Sequence, residues 1–350
     1  MSPTVLRVLI SGGGIAGNAL AFWLARQGHI VTVVERFPHL RATGLQLDLR
    51  GPGIQVLKKM GLEEAFRAKG SPRTGSASRN GQTGSFDLLV GADGQWSRTR
   101  RMMLGIDSTD GMQRAPGFHI AYFTMPLPMG KGEEEYLATT YMAPGRRGFM
   151  TRRHSPDRVQ VMLTSKTDPD RLQNIPRGDV QQEKEAMADI FRGAGWITED
   201  VIEGMRAAED FYCERVGLVK VPRWSSGRVV LVGDAAHCPT VLSGMGTTCA
   251  IVGAYILAGE IGRFSLAENG AGGTDGLEAA LKRYEETFRP FVEGMQEGVL
   301  DKAESQWVLS GSSFGIEIWN CLMGLVSFFK INIAEVLGIR ETVKGWSLPD

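Results

Sequence analysis

Short apolar runs rich in β-branched residues recur along the chain, separated by helical patterns and glycine turns. Strands buried on both faces of a parallel sheet have this composition, because helices cover both sides of such a sheet. Four runs fit it, at 5–10, 30–34, 86–90 and 228–232. A helical stretch from Ile15 to Arg26, without a charged residue before Arg26, joins the first two. The pattern therefore predicts an α/β fold that begins with a strand, a glycine turn, a helix and a second strand.

The stretch from about 115 to 224 has a different pattern, in which apolar and polar positions alternate. Period-two alternation between turn-forming residues is typical of antiparallel strands. We predict such strands at 119–127, 136–141, 148–154, 158–166 and 211–221, with helices at 181–192 and 198–206. This stretch is expected to form an inserted sheet that serves as a substrate platform.

Helical spacing of apolar residues continues elsewhere. It predicts helices at 54–66 with an interruption at Gly61, at 248–262, and at 277–300 with a kink at Pro290. A short strand is expected at 45–49, and the polar, turn-rich residues 70–84 are expected to form a surface loop or link.

The tail from 314 to 337 is apolar but is interrupted by Glu317, Asn320 and Lys330. A transmembrane helix needs about 20 consecutive apolar residues, so we expect no transmembrane span here. We predict a helix pair packed on the body or on a second subunit. Shallow membrane contact is the alternative.

Composition argues against several classes of protein. The 350 residues include 39 basic and 39 acidic side chains, so the net charge gives no reason to expect a nucleic-acid partner. Four cysteines, Cys213, Cys238, Cys249 and Cys321, have neither CxxC nor CxxH spacing, which argues against a metal site and a disulfide framework. The first strand begins too early for a signal peptide to precede it. We therefore expect no metal and a reducing, cytoplasmic location.

The first chemical motif is Gly12-x-Gly14-x-x-Gly17, directly after the first strand. In a dinucleotide-binding turn the first glycine permits the tight turn, the second lets the backbone approach a pyrophosphate, and the third lets the helix pack closely. Glu35 ends the second strand, where an acidic side chain can accept hydrogen bonds from ribose hydroxyls. The alternative is a glycine turn without a nucleotide.

The second motif, Gly91-Ala-Asp93-Gly94-x-x-Ser97-x-x-Arg100, follows another buried strand. It presents a carboxylate and a glycine at the strand end, and then a hydroxyl and a cation on one helix face. An ordinary strand-to-helix turn with Asp93 as a helix cap is the alternative.

The third motif, Gly233-Asp234-Ala-Ala-His237, precedes a Gly244-x-Gly246 turn and a small apolar helix. Asp234 can hold sugar hydroxyls, and the helix N-terminus can face a phosphate or an anionic ring edge. His237 as a general base and Cys238 as a nucleophile are weaker hypotheses, because the sequence offers no activating partner.

The order of these motifs resembles that of the class A FAD-dependent aromatic monooxygenases, the para-hydroxybenzoate hydroxylase-like family. The loops at 47–53 and 243–247 are most similar to those of its tetracycline-inactivating and secondary-metabolite members. The resemblance covers most of the chain. It implies a GxGxxG Rossmann-like FAD-binding domain at 1–114 and 215–300, an inserted antiparallel-sheet substrate domain at 115–214, and a C-terminal helical tail at 301–350.

The resemblance also implies FAD in an extended conformation. The glycines of the first motif would hold its pyrophosphate, Asp93 and Gly94 would serve both FAD and NAD(P)H, and the Gly244 turn would lie close to the flavin. The implied cofactor-binding residues are Gly12, Gly14, Ile15, Ala16, Gly17, Glu35, Arg36, Asp48, Asp93, Gly94, Gly233, Asp234, Gly244, Met245 and Gly246.

The reaction that the resemblance implies begins with reduction of FAD by NADPH or NADH. Reaction with O2 then gives a flavin C4a-hydroperoxide, which transfers one oxygen atom to a hydrophobic aromatic or polyketide-like molecule. Because the cofactor supplies this chemistry, no catalytic side chain is required. The protein would be a monomer or a homodimer.

The chain departs from the family in two places. Relatives usually have several tens of extra residues between the helix ending near Ala68 and the strand at Phe86, including an arginine that contacts FAD. Many also have a proline where this chain has Val241. Two alternatives therefore stay open: a flavin oxidoreductase that inserts no oxygen, and a truncated, non-catalytic homologue that binds a ligand or a partner.

Overall fold

The computed structural model describes residues 4–37, 49–64, 85–105, 110–130, 138–167, 172, 174–266, 274–309, 311–328, 343 and 345–349. Within them the chain forms two five-stranded sheets with helices on their faces. The expected short strand at 45–49, except for Leu49, and the expected loop at 70–84 lie outside the described residues.

The first sheet has the strand order β2-β1-β3-β10-β9. Its strands are β1 (Arg7–Ser11), β2 (Ile30–Val34), β3 (Leu88–Gly91), β9 (Ser225–Ser226) and β10 (Val229–Leu231). The first four in spatial order run parallel, and β9 adds a short antiparallel edge. All four strands predicted from apolar runs are present, and β9 was not predicted because two residues carry no period.

The position of a strand in this sheet decides its burial. The central strands β1 and β3 bury Val8, Ile10 and Val90 completely. In contrast, β2 lies at the edge and leaves Ile30 57% and Val34 46% exposed. Among the described residues no other strand pairs with its outer side.

Helices cover this sheet and carry the main core. They are α1 (Ile15–Arg26), α2 (Pro52–Lys59), α3 (Arg98–Leu104), α6 (Asp234–His237), α7 (Gly246–Leu266) and α8 (Thr274–Gln296). The helix α7 packs against α1, α2 and α8, which its small apolar residues permit. It is the one described helix long and apolar enough to cross a membrane, but 67% of that stretch is buried inside the protein, as in a core helix.

Glycines with positive φ mark breaks in two predicted helices. α2 stops at Lys59, just before Gly61 with a φ of +71°, and residues 63–64 are helical again, so the predicted interruption at Gly61 is present up to the last described residue, Glu64. The helix expected at 277–300 is two helices, separated near Gly298 with a φ of +67°. Pro290 lies inside the first of them.

The second sheet is antiparallel, with the order β5-β6-β7-β4-β8. Its strands are β4 (Met112–Pro126), β5 (Ala138–Ala143), β6 (Arg147–Ser155), β7 (Arg158–Lys166) and β8 (Tyr212–Val219). One face packs against α4 (Val180–Phe191) and α5 (Thr198–Ala207), around Phe123, Val161 and Phe191. The predicted antiparallel strands and both helices are therefore present.

The other face of this sheet carries Phe118, Ile120, Tyr122 and Val216, and we call it the inner face. It packs against Val241, Leu242 and Trp307, and so meets the loop that follows the third motif. The pairing of β4 with β8 shifts register between Arg114 and His119, close to the predicted domain boundary at 114.

The tail begins as two helices, α9 (Val299–Leu309) and α10 (Ser313–Phe328). On α10, Phe314, Leu322 and Leu325 are 72%, 46% and 51% exposed. Residues 329–337 of the predicted helix pair lie outside the described residues.

Candidate functional site

The glycines of the first motif divide into two that pack and one that stays open. A Cβ on Gly12 would lie 2.3 Å from the Ala92 carbonyl oxygen, and one on Gly17 would lie 2.0 Å from the Gly12 oxygen. A Cβ on Gly14 would meet no described atom within 4 Å. The first and third glycines are therefore required by packing, and the second leaves the backbone open to a ligand.

The N-terminus of α1 lies at this open position. Gly14 is its cap residue, with no side-chain cap, and the first turn has no acidic side chain. The first N–H groups of a helix have no intrahelical partner, and the helix dipole favours an anion there. The turn at Ile15 and Ala16 can therefore hold a phosphate.

Glu35 lies beside the same turn. Its Oε2 accepts a hydrogen bond from the Gly13 N–H at 2.8 Å, and its Oε1 accepts one from the Phe37 N–H at 3.0 Å. A carboxylate has about four acceptor sites, so it can accept further bonds from sugar hydroxyls. The neighbouring Arg36 stacks on Phe37, whereas Asp48 lies outside the described residues.

The carboxylate of Asp93 caps α3. Its Oδ2 accepts hydrogen bonds from the N–H groups of Arg98 at 2.8 Å and Thr99 at 3.0 Å. This is the capping role that the sequence had left as an alternative. The open feature of the second motif is Gly94, which has a φ of +78° and no described atom within 4 Å of a Cβ.

Arg100 joins the second motif to the third. The side chain is fully buried and donates to three carbonyl oxygens, those of Asp110 at 2.7 Å, Gln95 at 2.7 Å and Ala235 at 3.0 Å. Burial lowers the pKa of its guanidinium. The sequence predicted a cation on the face of this helix but gave no sign that it would bind the backbone of the third motif.

The third motif packs directly on the first. A Cβ on Gly233 would lie 2.7 Å from the Ala16 Cβ. Asp234 begins the one-turn helix α6, and burial raises the pKa of its carboxyl to about 6 against the opposing effect of a hydrogen bond with the Cys238 side chain. A partly dehydrated carboxylate at this position is suited to accept hydrogen bonds from a ligand's hydroxyl groups.

His237 belongs to the core. Its ring centroid lies 4.8 Å from that of Trp224 and 5.2 Å from that of Phe288, and neither ring nitrogen has a hydrogen-bond partner among the described residues. Burial lowers its pKa to about 3, so the ring is neutral. Burial also raises the pKa of the Cys238 thiol well above its usual value. Neither residue has the environment of a general base or a nucleophile.

The turn before α7 is built from unusual backbone angles. Thr240 and Gly244 have φ values of +66° and +65°. The Ser243 hydroxyl donates to the Thr240 carbonyl at 2.8 Å and accepts from the Met245 N–H at 3.1 Å. Met245 is buried, whereas Gly246 at the start of α7 has no described atom within 4 Å of a Cβ. The turn therefore presents open backbone next to the inner face of the second sheet.

The three motifs thus form one surface. Two helix N-termini, those of α1 and α7, and the carboxylates of Glu35 and Asp234 lie along it. Its far end meets the apolar inner face. Helix N-termini can donate hydrogen bonds to an anion, and carboxylates can accept them from hydroxyl groups, so the surface can bind a ligand that carries both kinds of group. Within the described residues no group of His, Cys, Asp and Glu could hold a metal ion.

Comparison with known families gives a match to the FAD binding domain family over residues 5–86 and 76–298. The FAD-dependent monooxygenase asL4 of Sarocladium schorii is 39% identical, over 99% of this chain and 98% of the relative. The flavin-dependent monooxygenase eupH of Phoma sp is 32% identical, over 93% and 92%. The alignment with asL4 runs over 421 positions although this chain has 350 residues, so the relative contains residues with no counterpart here.

Solved structures give the same result. The crystal structure of tetracycline destructase Tet(55) superposes with a TM-score of 0.70 at 25% identity, covering all of both chains. That of Tet(51) gives 0.68 at 25% identity, covering 89% of this chain and 97% of the other. With the family match spanning most of the sequence, this chain belongs to the FAD binding domain family and is a class A FAD-dependent monooxygenase.

Proposed function

We propose that this enzyme consumes NADPH or NADH together with O2 and inserts one oxygen atom into a hydrophobic aromatic or polyketide-like molecule. One observation carries the proposal: each motif pairs a glycine that packs tightly with one that stays open. The tight ones are Gly12, Gly91 and Gly233, and the open ones are Gly14, Gly94 and Gly246. The packing that joins the motifs therefore leaves backbone free for one extended ligand.

Different residues of this surface would bind different parts of FAD. The turn from Gly12 to Gly17 would take the pyrophosphate, Glu35 would accept from the adenosine ribose, and Asp234 would accept from the remaining hydroxyls. The Gly244–Gly246 turn would lie beside the ring. When bound, FAD supplies the electron transfer and oxygen activation that side chains cannot.

The protein's further contribution is to exclude water and to orient the substrate. The inner face and Val241, Leu242 and Trp307 offer an apolar, aromatic surface next to the Gly244 turn. Such a surface favours an apolar molecule and keeps the site dry. The relatives asL4 of Sarocladium schorii and eupH of Phoma sp are monooxygenases, which is in keeping with a role in secondary metabolism. The four cysteines of this chain form no disulfide bonds, in keeping with a cytoplasmic location.

A second candidate function is a truncated homologue that binds a ligand without catalysis. The observation that favours it is the family match, which is broken into two parts that overlap at 76–86. A flavin oxidoreductase that inserts no oxygen would use the same cofactor surface.

The first test is flavin retention. The purified chain is mixed with FAD, passed through gel filtration, and its visible absorbance measured. We expect a retained flavin band, and a strong loss of that band in Gly14→Val, because the open Cβ position allows the protein to fold but blocks the ligand. Gly324→Val, at an equally open helical position on α10, is the matched control.

A colourless wild-type protein would overturn the cofactor proposal in favour of the non-catalytic homologue. If flavin is retained, NADPH consumption under 18O2 with candidate substrates separates the remaining alternatives. Product that carries one 18O atom supports the monooxygenase. Product without 18O supports the oxidoreductase that inserts no oxygen.

A further inference from the structure

The outer edge of the first sheet is an open apolar strand. In β2 the side chains of Ile30, Val33 and Val34 are exposed, and Thr32 between them is exposed as well. Among the described residues no strand pairs with this edge. The outward N–H and C=O groups of an edge strand are a template for a further strand, and exposed apolar patches mark interaction surfaces. The edge of β2 therefore indicates a partner.

The other edge strands of the two described sheets each have a protective feature. β9 is only two residues long, at Ser225–Ser226. β8 carries Glu214 and Arg215, and α10 contacts β5 on the opposite side of the second sheet. Short strands, charged side chains and covering helices are the devices that prevent edge pairing. β2, with the sequence IVTVV, contains no charge, proline or glycine.

The hydrogen bonds to β1 show which backbone groups of β2 point outward. The Ile30 N–H donates to the Leu6 carbonyl at 2.9 Å, and the Val34 carbonyl accepts from the Gly12 N–H at 2.8 Å. Because the backbone groups of successive residues in a strand point to opposite sides, Ile30, Thr32 and Val34 face β1. Val31 and Val33 therefore direct their N–H and C=O groups away from the sheet.

These outward groups match those of a second copy in one antiparallel register. If Thr32 lies on the two-fold axis, Val31 lies opposite Val33 of the second copy, and the two exchange both N–H···O bonds. An axis at Val33 would instead place the Glu35 carboxylate opposite Val31. An axis at Val31 would place Val33 opposite His29, whose N–H already donates to the Leu24 carbonyl. The register centred on Thr32 therefore fits best.

The side chains in this register are compatible on both faces of the sheet. Ile30 would lie opposite Val34 of the second copy, Val31 opposite Val33, and Thr32 opposite Thr32. Pairs of β-branched residues and Thr–Thr pairs across strands are favourable, whereas like charges directly opposite each other are not. The contact would bring no two charged side chains together.

We propose that two copies of this chain pair through β2, antiparallel and centred on Thr32, to form one continuous sheet. A two-fold contact closes on itself, so the pairing ends at a dimer. The competing occupants of the edge are residues 38–48 and 65–84 of the same chain, which lie outside the described residues. Of these, 70–84 contains no Val, Ile, Leu or aromatic residue, which suits it poorly to pair with an apolar strand.

The pairing goes beyond the proposed function and leaves the cofactor surface free. Glu35 lies outside the paired residues, and its carboxylate keeps the bonds from the N–H groups of Gly13 and Phe37. Flavin binding and dimer formation can therefore be measured independently.

The test begins with analytical ultracentrifugation of the FAD-loaded full chain between about 1 and 100 μM. We expect a dimer that dissociates on dilution within this range, because an interface built around one pair of short strands is small and therefore weak.

A charge at the axis should prevent the pairing. Thr32→Lys places two ammonium groups opposite each other and is expected to raise the dissociation constant of the dimer at least about tenfold. Thr140→Lys, the same substitution at an exposed position of β5, is the matched control and should dimerise as the wild type does. Both positions are exposed, so both variants should keep the flavin content and the Tm of the wild type.

Disulfide formation tests the register. The Cα atoms of two Thr32 residues in a non-hydrogen-bonded antiparallel pair would lie about 4.5 Å apart, within reach of a disulfide. Those of two Ile30 residues would lie roughly 14 Å apart. Thr32→Cys and Ile30→Cys are made with Cys321→Ser, which removes the exposed native cysteine, and are treated with the thiol oxidant diamide. We expect a covalent dimer from Thr32→Cys and little from Ile30→Cys.

Each other outcome would overturn the proposal. A wild type that stays monomeric at every concentration would assign the edge to residues of the same chain. A dimer that Thr32→Lys leaves intact would assign the contact to another face, such as the exposed side of α10. Covalent dimer from Ile30→Cys but not from Thr32→Cys would contradict the register. Loss of flavin from the wild type would count against the proposed function alone, since the β2 contact does not use the cofactor.

Discussion

The protonated form of Asp234 favours the stability of the free protein, whereas its ionised form favours ligand binding. Because its pKa is raised to about 6, the folded protein binds more protons than the unfolded chain between about pH 4 and pH 6. Its contribution to stability is therefore present at low pH and is lost as the pH rises through 6. The ionised carboxylate that destabilises the free protein is the group that a ribose or ribityl hydroxyl would use.

Asp234→Asn is expected to raise the stability of the FAD-free protein and to lower its flavin content. At pH 8 the gain should reach about 2–3 kcal/mol, and at pH 4 it should vanish, because the aspartate is then protonated in the folded state. Thermal unfolding at both pH values and flavin absorbance after gel filtration measure the two effects, with Glu203→Gln as the control. A variant that keeps its full flavin complement would contradict the role of the third motif.

His237 leads to the opposite pH dependence. Burial and the nearby Arg289 lower its pKa to about 3, so the unfolded chain binds more protons between about pH 3 and 6.5. The wild type therefore loses stability as the pH falls through this range. His237→Leu is expected to remove up to about 3 kcal/mol of that loss between pH 7 and 4 while flavin content stays largely intact. Urea unfolding of both proteins across this pH range measures the change in stability. A His237→Leu variant that cannot bind FAD would show that His237 also contributes to cofactor binding.

At the residue scale, spacing alone predicted the tight turn at Gly12 and the close packing at Gly17, because both follow from local backbone geometry, and Gly14 has the open position that a ligand would need. The same reasoning could not decide between a capping and a ligand-binding Asp93, since both place a carboxylate at the start of a helix. The bond from Arg100 to the Ala235 carbonyl could not be predicted either, because it joins two motifs that lie 135 positions apart in the sequence.

Among the elements, α3 is only 7 residues long but connects two motifs of the candidate site. Through Arg100 it holds the strand end of β3 against α6, and so aligns two motifs that come from distant parts of the sequence. A guanidinium suits this task because its donors are arranged in a rigid plane and can reach several carbonyl oxygens at once.

The substitution Arg100→Met is expected to loosen the contact between α3 and α6. Loss of three hydrogen bonds to carbonyl oxygens is expected to lower the free energy of unfolding by on the order of 3 kcal/mol and to weaken FAD retention. Arg100→Lys keeps the charge but not the planar donor set, so it should give an intermediate result. Arg98→Met, on the exposed side of the same helix, is the control. Equal stability of Arg100→Met and wild type would show that packing alone aligns the motifs.

The boundaries of a helix or strand could be predicted where residues at its ends mark them in the sequence. The predicted bounds of α1 and β2 agree with the structure, because the glycine turn and the terminal glutamate mark them. The elements β9 and α6 are too short for any period to appear. The break after α2 falls at Gly61, the interruption that the sequence predicted, because a glycine there adopts a positive φ.

At the scale of the whole molecule, the two sheets are interleaved in the chain. The first sheet contains β3 and β10 as neighbours, with Leu89 paired to Val229, and the entire second sheet lies between them in sequence. The strands β5, β6 and β7 instead pair with their sequence neighbours. The hairpins of β5 to β7 are therefore local, whereas the pairing of β3 with β10, like that of β4 with β8, joins strands that are far apart in the sequence.

This interleaving has a consequence for the order of folding. Closing a long loop carries an entropic penalty before its contacts form, so local hairpins form sooner than distant strand pairs. Pulsed hydrogen exchange during refolding should protect amides of β5 to β7 before those of β10. Simultaneous protection would contradict it. During synthesis, the α7 turn emerges after the rest of the cofactor surface, so FAD can stabilise only a chain that is already nearly folded, and the second sheet must reach its native pairing without the cofactor's help.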